Sequence, residues 1–122
     1  MHKILLVDDE IDVLETIEDL IDISINHCEF SRAENGAKAF EICKTIQFDL
    51  IITDHNMPEL TGFQLIEAIR VEQNKNQSTP ILMISAFIDQ GLKEKLSTYE
   101  IKSLSKPFRS DELITIINSY LV

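Results

Sequence analysis

Three stretches of the chain are apolar at nearly every position: Lys3 to Val7, ending at Asp8; Asp49 to Thr53, ending at Asp54; and Pro80 to Ser85. A strand with one wet face alternates polar and apolar residues, so unbroken runs of this kind predict strands buried on both faces, in the middle of a helix-covered parallel sheet. Between them the period changes. In Glu10 to Asn26 the residues Val13, Leu14, Ile17, Leu20 and Ile21 recur at intervals of three and four, opposite Asp12, Glu15, Glu18, Asp19 and Asp22, which predicts an amphipathic helix. Gly36 to Thr45, Thr61 to Glu72 and Gln90 to Thr98 carry weaker helical patterns. Leu113, Ile116, Ile117, Tyr120 and Leu121 form a final helical stripe, with Ser110 as its expected cap. Cys28 to Arg32 and Lys102 to Ser105 stand where strands are due and are less apolar, as edge strands are.

Strands alternating with helices in this way predict an α/β doubly wound fold with right-handed crossovers, and the grading of apolarity predicts a parallel five-stranded sheet of order 2-1-3-4-5. Ligand sites of such sheets form outside the carboxyl ends of the strands, where the strand order reverses. At those ends stand Asp8-Asp9-Glu10, Asp54, Ser85-Ala86 and Lys106-Pro107. Carboxylates gathered in one cleft repel each other unless protons or a hard divalent cation intervene. Mg²⁺ suits one or two carboxylates with waters and phosphate oxygens, so the set anticipates a phosphoryl group. Lys106 can neutralise one phosphate oxygen and the Ser85 hydroxyl can bond another. Asp54, already ionised and needing no general base, is then the expected nucleophile. Taken singly, each residue has a bland reading: a helix start, a turn, a solvated charge, a strand end. Their joint placement at four strand ends outweighs those readings.

Composition narrows the partners. With 11 Lys plus Arg against 21 Asp plus Glu, the net charge is −10, which disfavours direct nucleic-acid binding and anionic membranes. The longest apolar runs fall far short of the ~20 residues of a bilayer span, and the charged Asp8-Asp9-Glu10 segment follows the N-terminus at once, so a cytoplasmic location is expected. Cys28 and Cys43 show no metal or disulfide pattern and read as ordinary apolar-side thiols. His2, His27 and His55 are too scattered for a ligand set, and His55 is expected near the mouth of the site without a ligand role. The turn from Met57-Pro58 to Gly62 supplies a glycine expected to adopt positive φ at a sharp entry into a helix.

Read together, ILLVDDE at 4–10, AENG at 33–36, FDLIITDHNMPELTG at 48–62, PILMISA at 80–86 and SKPF at 105–108 closely resemble the response regulator receiver domain, the CheY-like phosphoacceptor module of two-component signalling. The likeness runs over nearly all of residues 3 to 121. It implies a single receiver domain over 1–122 with a (βα)5 flavodoxin-like, CheY-like fold. By that resemblance Asp54 is the phosphorylated residue, with Ser85 and Lys106 touching the phosphoryl group. Mg²⁺ would be held by Asp8 through water, by Asp9 and Asp54, and by the Asn56 backbone carbonyl. The Lys106-Pro107 peptide would be cis. A sensor histidine kinase or histidine phosphotransfer protein would be the donor, and the chain would be a self-phosphorylating module with intrinsic autodephosphorylation, not a multiple-turnover enzyme.

Two departures stand out. The family's Tyr or Phe three residues before the lysine is replaced by Ser103, and Tyr99-Glu100 stand where a small Gly-Ala pair is common, so an altered loop and a weak conformational output are expected. The end of the chain at Val122 suggests a single-domain regulator, or a receiver relaying phosphate onward. Two other classes are less favoured. An aspartyl-phosphate phosphatase would want an acid/base carboxylate at Asn56 and a substrate cap, and a flavodoxin-like cofactor binder would want a Ser/Thr/Gly-rich loop where Asp8 and Asp9 stand.

Overall fold

The computed structural model describes residues 1–121. Strands and helices alternate throughout: β1 (His2–Val7), α1 (Ile11–Ser24), β2 (Cys28–Ala33), α2 (Gly36–Thr45), β3 (Leu50–Thr53), α3 (Gly62–Val71), β4 (Ile81–Ser85), α4 (Gln90–Thr98), β5 (Lys102–Ser105) and α5 (Ser110–Leu121). The strands form a parallel sheet of order β2-β1-β3-β4-β5, as the apolar grading predicts. Val122, the last residue of the expected domain, lies outside the described residues. Among those residues no helix is long and apolar enough to cross a membrane.

The unbroken apolar runs have a direct cause. Successive side chains of a strand point to opposite faces, and both faces here are covered. Leu5, Val7, Ile51 and Met83 face a core that includes Ala39 and Cys43 of α2, Leu65, Ile66 and Ile69 of α3, and Leu92 and Leu96 of α4. Ile4, Leu6, Ile52, Leu82 and Ile84 face the opposite core with Leu14, Ile17 and Ile21 of α1 and Leu113 and Ile117 of α5. The edge strands β2 and β5 are only partly buried. Cys43 is buried, which pushes its thiol up to about 11, and Cys28 is half-buried; both are free thiols, as expected.

Helix starts differ in detail from expectation. Ser110 is the first residue of α5 and not its cap; Arg109 precedes it, and its backbone N–H reaches Glu112 Oε1 at 3.4 Å. Gly62 does not take positive φ. In that turn the left-handed residue is Glu59, at φ 67°, and Gly62 serves instead to let two segments touch. At the opposite end of the sheet a residue with no sequence signal, Asn76, is fully buried. Its amide donates to the carbonyls of Cys43 (2.9 Å) and Ile46 (2.7 Å), and its oxygen accepts from Phe48 N (2.8 Å).

Candidate functional site

Parallel pairing aligns the carboxyl ends of β1, β3, β4 and β5, so the residues that follow them meet at one rim. Asp8 leaves β1 with its backbone N–H bonded to Ala33 O, and Asp54 leaves β3 with its own bonded to Val7 O at 2.9 Å. Both carboxylates are buried, as is Ser85 at the end of β4. Lys106 follows β5, its N–H bonded to Ser85 O at 2.8 Å. Its ammonium enters the cleft, with Nζ 3.2 Å from Asp8 Oδ2 and 3.9 Å from Asp54 Oδ2. Asn56 Nδ2 donates to Ser85 Oγ at 3.3 Å, closing the ring of residues. The Lys106-Pro107 peptide is cis.

Electrostatically the cleft is short of positive charge. Burial raises the Asp8 carboxyl above its ordinary value. The Glu10 N–H bonded to its Oδ1 at 3.0 Å and the Lys106 ammonium offset this only in part, and the Asp54 charge adds to the rise. Carboxylate oxygens of Asp8, Asp9 and Glu10 lie within 4.8 Å of one another. Glu10 was expected with Asp8 and Asp9 at the end of β1 and as a helix-start residue. It does sit at the N-cap of α1, yet its side chain makes no capping bond, and the run of three acids was the available signal for its place beside Asp8. Asp54 stands outside that cluster, with Oδ1 accepting from His55 N at 2.7 Å and Oδ2 facing Lys106. A cluster of carboxylate oxygens alone fits a hard divalent cation such as Mg²⁺.

His55 was expected near the mouth without a ligand role, and it lies there. Burial holds its imidazole below the usual histidine range, more strongly than the Asp54 charge raises it. A cleft of about 920 Å³ opens between α3 and α4, lined by His55 and Asn56, which follow Asp54 in the chain, and by Phe63, Phe87, Lys95 and Tyr99 among others. Phe87 is 69% exposed at its edge. At the approach to β5, Tyr99 caps α4 and its ring lies 6.1 Å from that of Phe63, while Glu100 adopts φ 57°, a conformation that a glycine takes without strain.

The family model for the response regulator receiver domain matches residues 4–118. The chain belongs to the response regulator receiver domain family. The receiver domain is 30% identical to the probable transcriptional regulator ycf29 of Porphyra purpurea over 98% of its own length and 56% of that protein's. It thus spans about half the length of that relative. Among solved structures, the chemotaxis protein CheY4 of Vibrio cholerae superposes with a TM-score of 0.86 at 30% identity, covering 99% of both chains. The receiver domain of sensor histidine kinase PA1611 from Pseudomonas aeruginosa, with a magnesium ion coordinated in its active site cleft, superposes with a TM-score of 0.83 at 26% identity over 98% of this chain and 96% of that one. The CheY-like fold expected from the motifs is therefore the fold of this receiver domain.

Proposed function

We propose that this receiver domain accepts a phosphoryl group on Asp54 from a sensor histidine kinase or a histidine phosphotransfer protein and passes the signal, or the phosphoryl group itself, through protein contacts. The observation that carries this reading is the position of Lys106, whose Nζ faces Asp8 Oδ2 at 3.2 Å and Asp54 Oδ2 at 3.9 Å, in a rim completed by Asn56 and Ser85. One oxygen of Asp54 is held by the His55 N–H. The other is the nucleophile: it attacks the phosphorus of a phosphohistidine as the P–N bond breaks, and the imidazole leaves with the bonding electrons. Lys106 and the Ser85 hydroxyl stabilise the transferred oxygens. Asp8, Asp9, Asp54 and the Asn56 carbonyl are the residues that would hold Mg²⁺, which when bound neutralises charge on the phosphoryl oxygens.

The proposed location is the cytoplasm, and the chain acts as a self-phosphorylating module with autodephosphorylation, not as a multiple-turnover enzyme. Its net charge of −10 argues against direct contact with nucleic acid or an anionic membrane. Incubation with a small acyl phosphate and Mg²⁺ should add one phosphoryl mass. Asp54→Asn and excess chelator should each abolish it. Uptake by Asp54→Asn at the wild-type rate would refute the assignment.

A further inference from the structure

We infer that His55 is a positioning residue for phosphoryl acceptance, fastening the loop that carries Asp54 and Asn56 to the amino end of α3. The inference rests on the reading of Asp54 as the phosphoacceptor.

A helix begins with backbone N–H groups that have no partner within it. At α3 these belong to Thr61, Gly62, Phe63 and Gln64. Two are satisfied by a capping box: Thr61 N donates to Gln64 Oε1 at 2.9 Å and Gln64 N to Thr61 Oγ1 at 3.2 Å. The other two go to one residue outside the helix. Gly62 N donates to the His55 carbonyl at 2.9 Å, and Phe63 N donates to His55 Nδ1 at 3.3 Å. Because Nδ1 accepts, the hydrogen of the neutral ring is on Nε2. The ring thus fills a place at the helix start that an aliphatic side chain leaves without an acceptor.

The remaining polar groups of His55 act on the site. Its N–H holds Asp54 Oδ1 at 2.7 Å, leaving Oδ2 to face Lys106. Its carbonyl also accepts from Met57 N at 3.0 Å, closing a three-residue turn around Asn56. In a trans peptide N–H and C=O point in opposite directions, so this bond turns the Asn56 carbonyl away from that of His55. One residue therefore sets an oxygen of the nucleophile and the direction of a metal-binding carbonyl, and its ring anchors both to α3.

Three variants test this. His55→Asn keeps an acceptor nearly where Nδ1 stands, His55→Gln moves it one bond outward, and His55→Leu removes it. Exchange of the Phe63 amide hydrogen should be slow in the wild type and in His55→Asn, and about five- to tenfold faster in the other two, the effect of one lost hydrogen bond. Uptake of phosphate from acetyl phosphate with Mg²⁺ should slow by a similar factor in His55→Gln and His55→Leu, with His55→Asn close to the wild type. If His55→Leu does not fold, the contrast between Asn and Gln carries the test. Equal uptake in all three variants and the wild type, or an unprotected Phe63 amide in the wild type, overturns the positioning role. No uptake by the wild type overturns the phosphoacceptor reading, and the positioning role with it.

Discussion

Gly62 packs so closely on Asp54 that a Cβ at position 62 would overlap the Asp54 carbonyl oxygen and stand 2.8 Å from the His55 Cα. The obstacle is backbone, which cannot swing aside. Gly62→Ala should therefore destabilise the fold by roughly 1–3 kcal/mol, the usual cost of overpacking, and slow phosphorylation of Asp54 by displacing the loop. Gly36→Ala is the control, since the nearest atoms to its Cβ would all be side-chain atoms of Leu60, the closest being Cδ2 at 2.7 Å, at the movable end of that side chain. Thermal melts compare the two; equal losses would refute the argument.

Burial is the chief cause that raises the Asp8 carboxyl above its ordinary value of 3.8. The folded state then binds this proton more tightly than the unfolded chain, so the metal-free fold loses stability as pH rises upward from that value through the folded pKa. In chelator, Asp8→Asn should be more stable than the wild type at pH 7, with the difference vanishing toward pH 3. Mg²⁺ at a hundred times its dissociation constant should add ~2.7 kcal/mol to the wild type and much less to the variant. Urea titrations across pH measure both. A variant less stable than the wild type in chelator at pH 7 would count against this account.

Phe87, two residues beyond Ser85, is 69% exposed and lines the same cleft as Asn56. On the proposed acceptance of phosphate by Asp54, an apolar ring lining that cleft is expected to hinder the attacking water. Phe87→Ala and Phe87→Glu should shorten its lifetime several-fold, an effect of ~1 kcal/mol on the barrier, read as phosphate release. An unchanged or longer lifetime refutes the role.

Ser103 pairs with Met83 across β4 and β5 and carries no ring that could move between two positions. The aromatic nearest in sequence, Tyr99, packs on Phe63, toward α3. Phosphorylation would replace the single carboxylate charge of Asp54 with the roughly two charges of a phosphoryl group and should draw in Ser85 and Lys106, but a switch shifts only as far as the differential stabilisation of its two states. A beryllofluoride mimic should therefore perturb amide shifts around Asp8, Asp54, Ser85 and Lys106 and leave Leu113 to Leu121 little changed. Equally large changes along α5 would show that another side chain carries the signal.

The periodicity of the chain by itself determined the elements, the sheet order and the strand-end placement of Asp8, Asp54, Ser85 and Lys106. Burial on both sheet faces writes itself into consecutive positions such as Ile4 to Val7, and local period is all that such a reading needs. The tertiary structure decided what depends on contacts between segments distant in sequence or on backbone geometry. Asn76 bonds to carbonyls some thirty residues away, Glu59 rather than Gly62 takes positive φ, and the Glu10 side chain, at the N-cap of α1, makes no capping bond. His55 belongs with them: as a residue type it signals nothing particular, and its part at α3 follows from the approach of Gly62 to Asp54, which brings Nδ1 within reach of an amide eight residues on. Side-chain direction and backbone approach are set by packing, and packing leaves no period in the sequence.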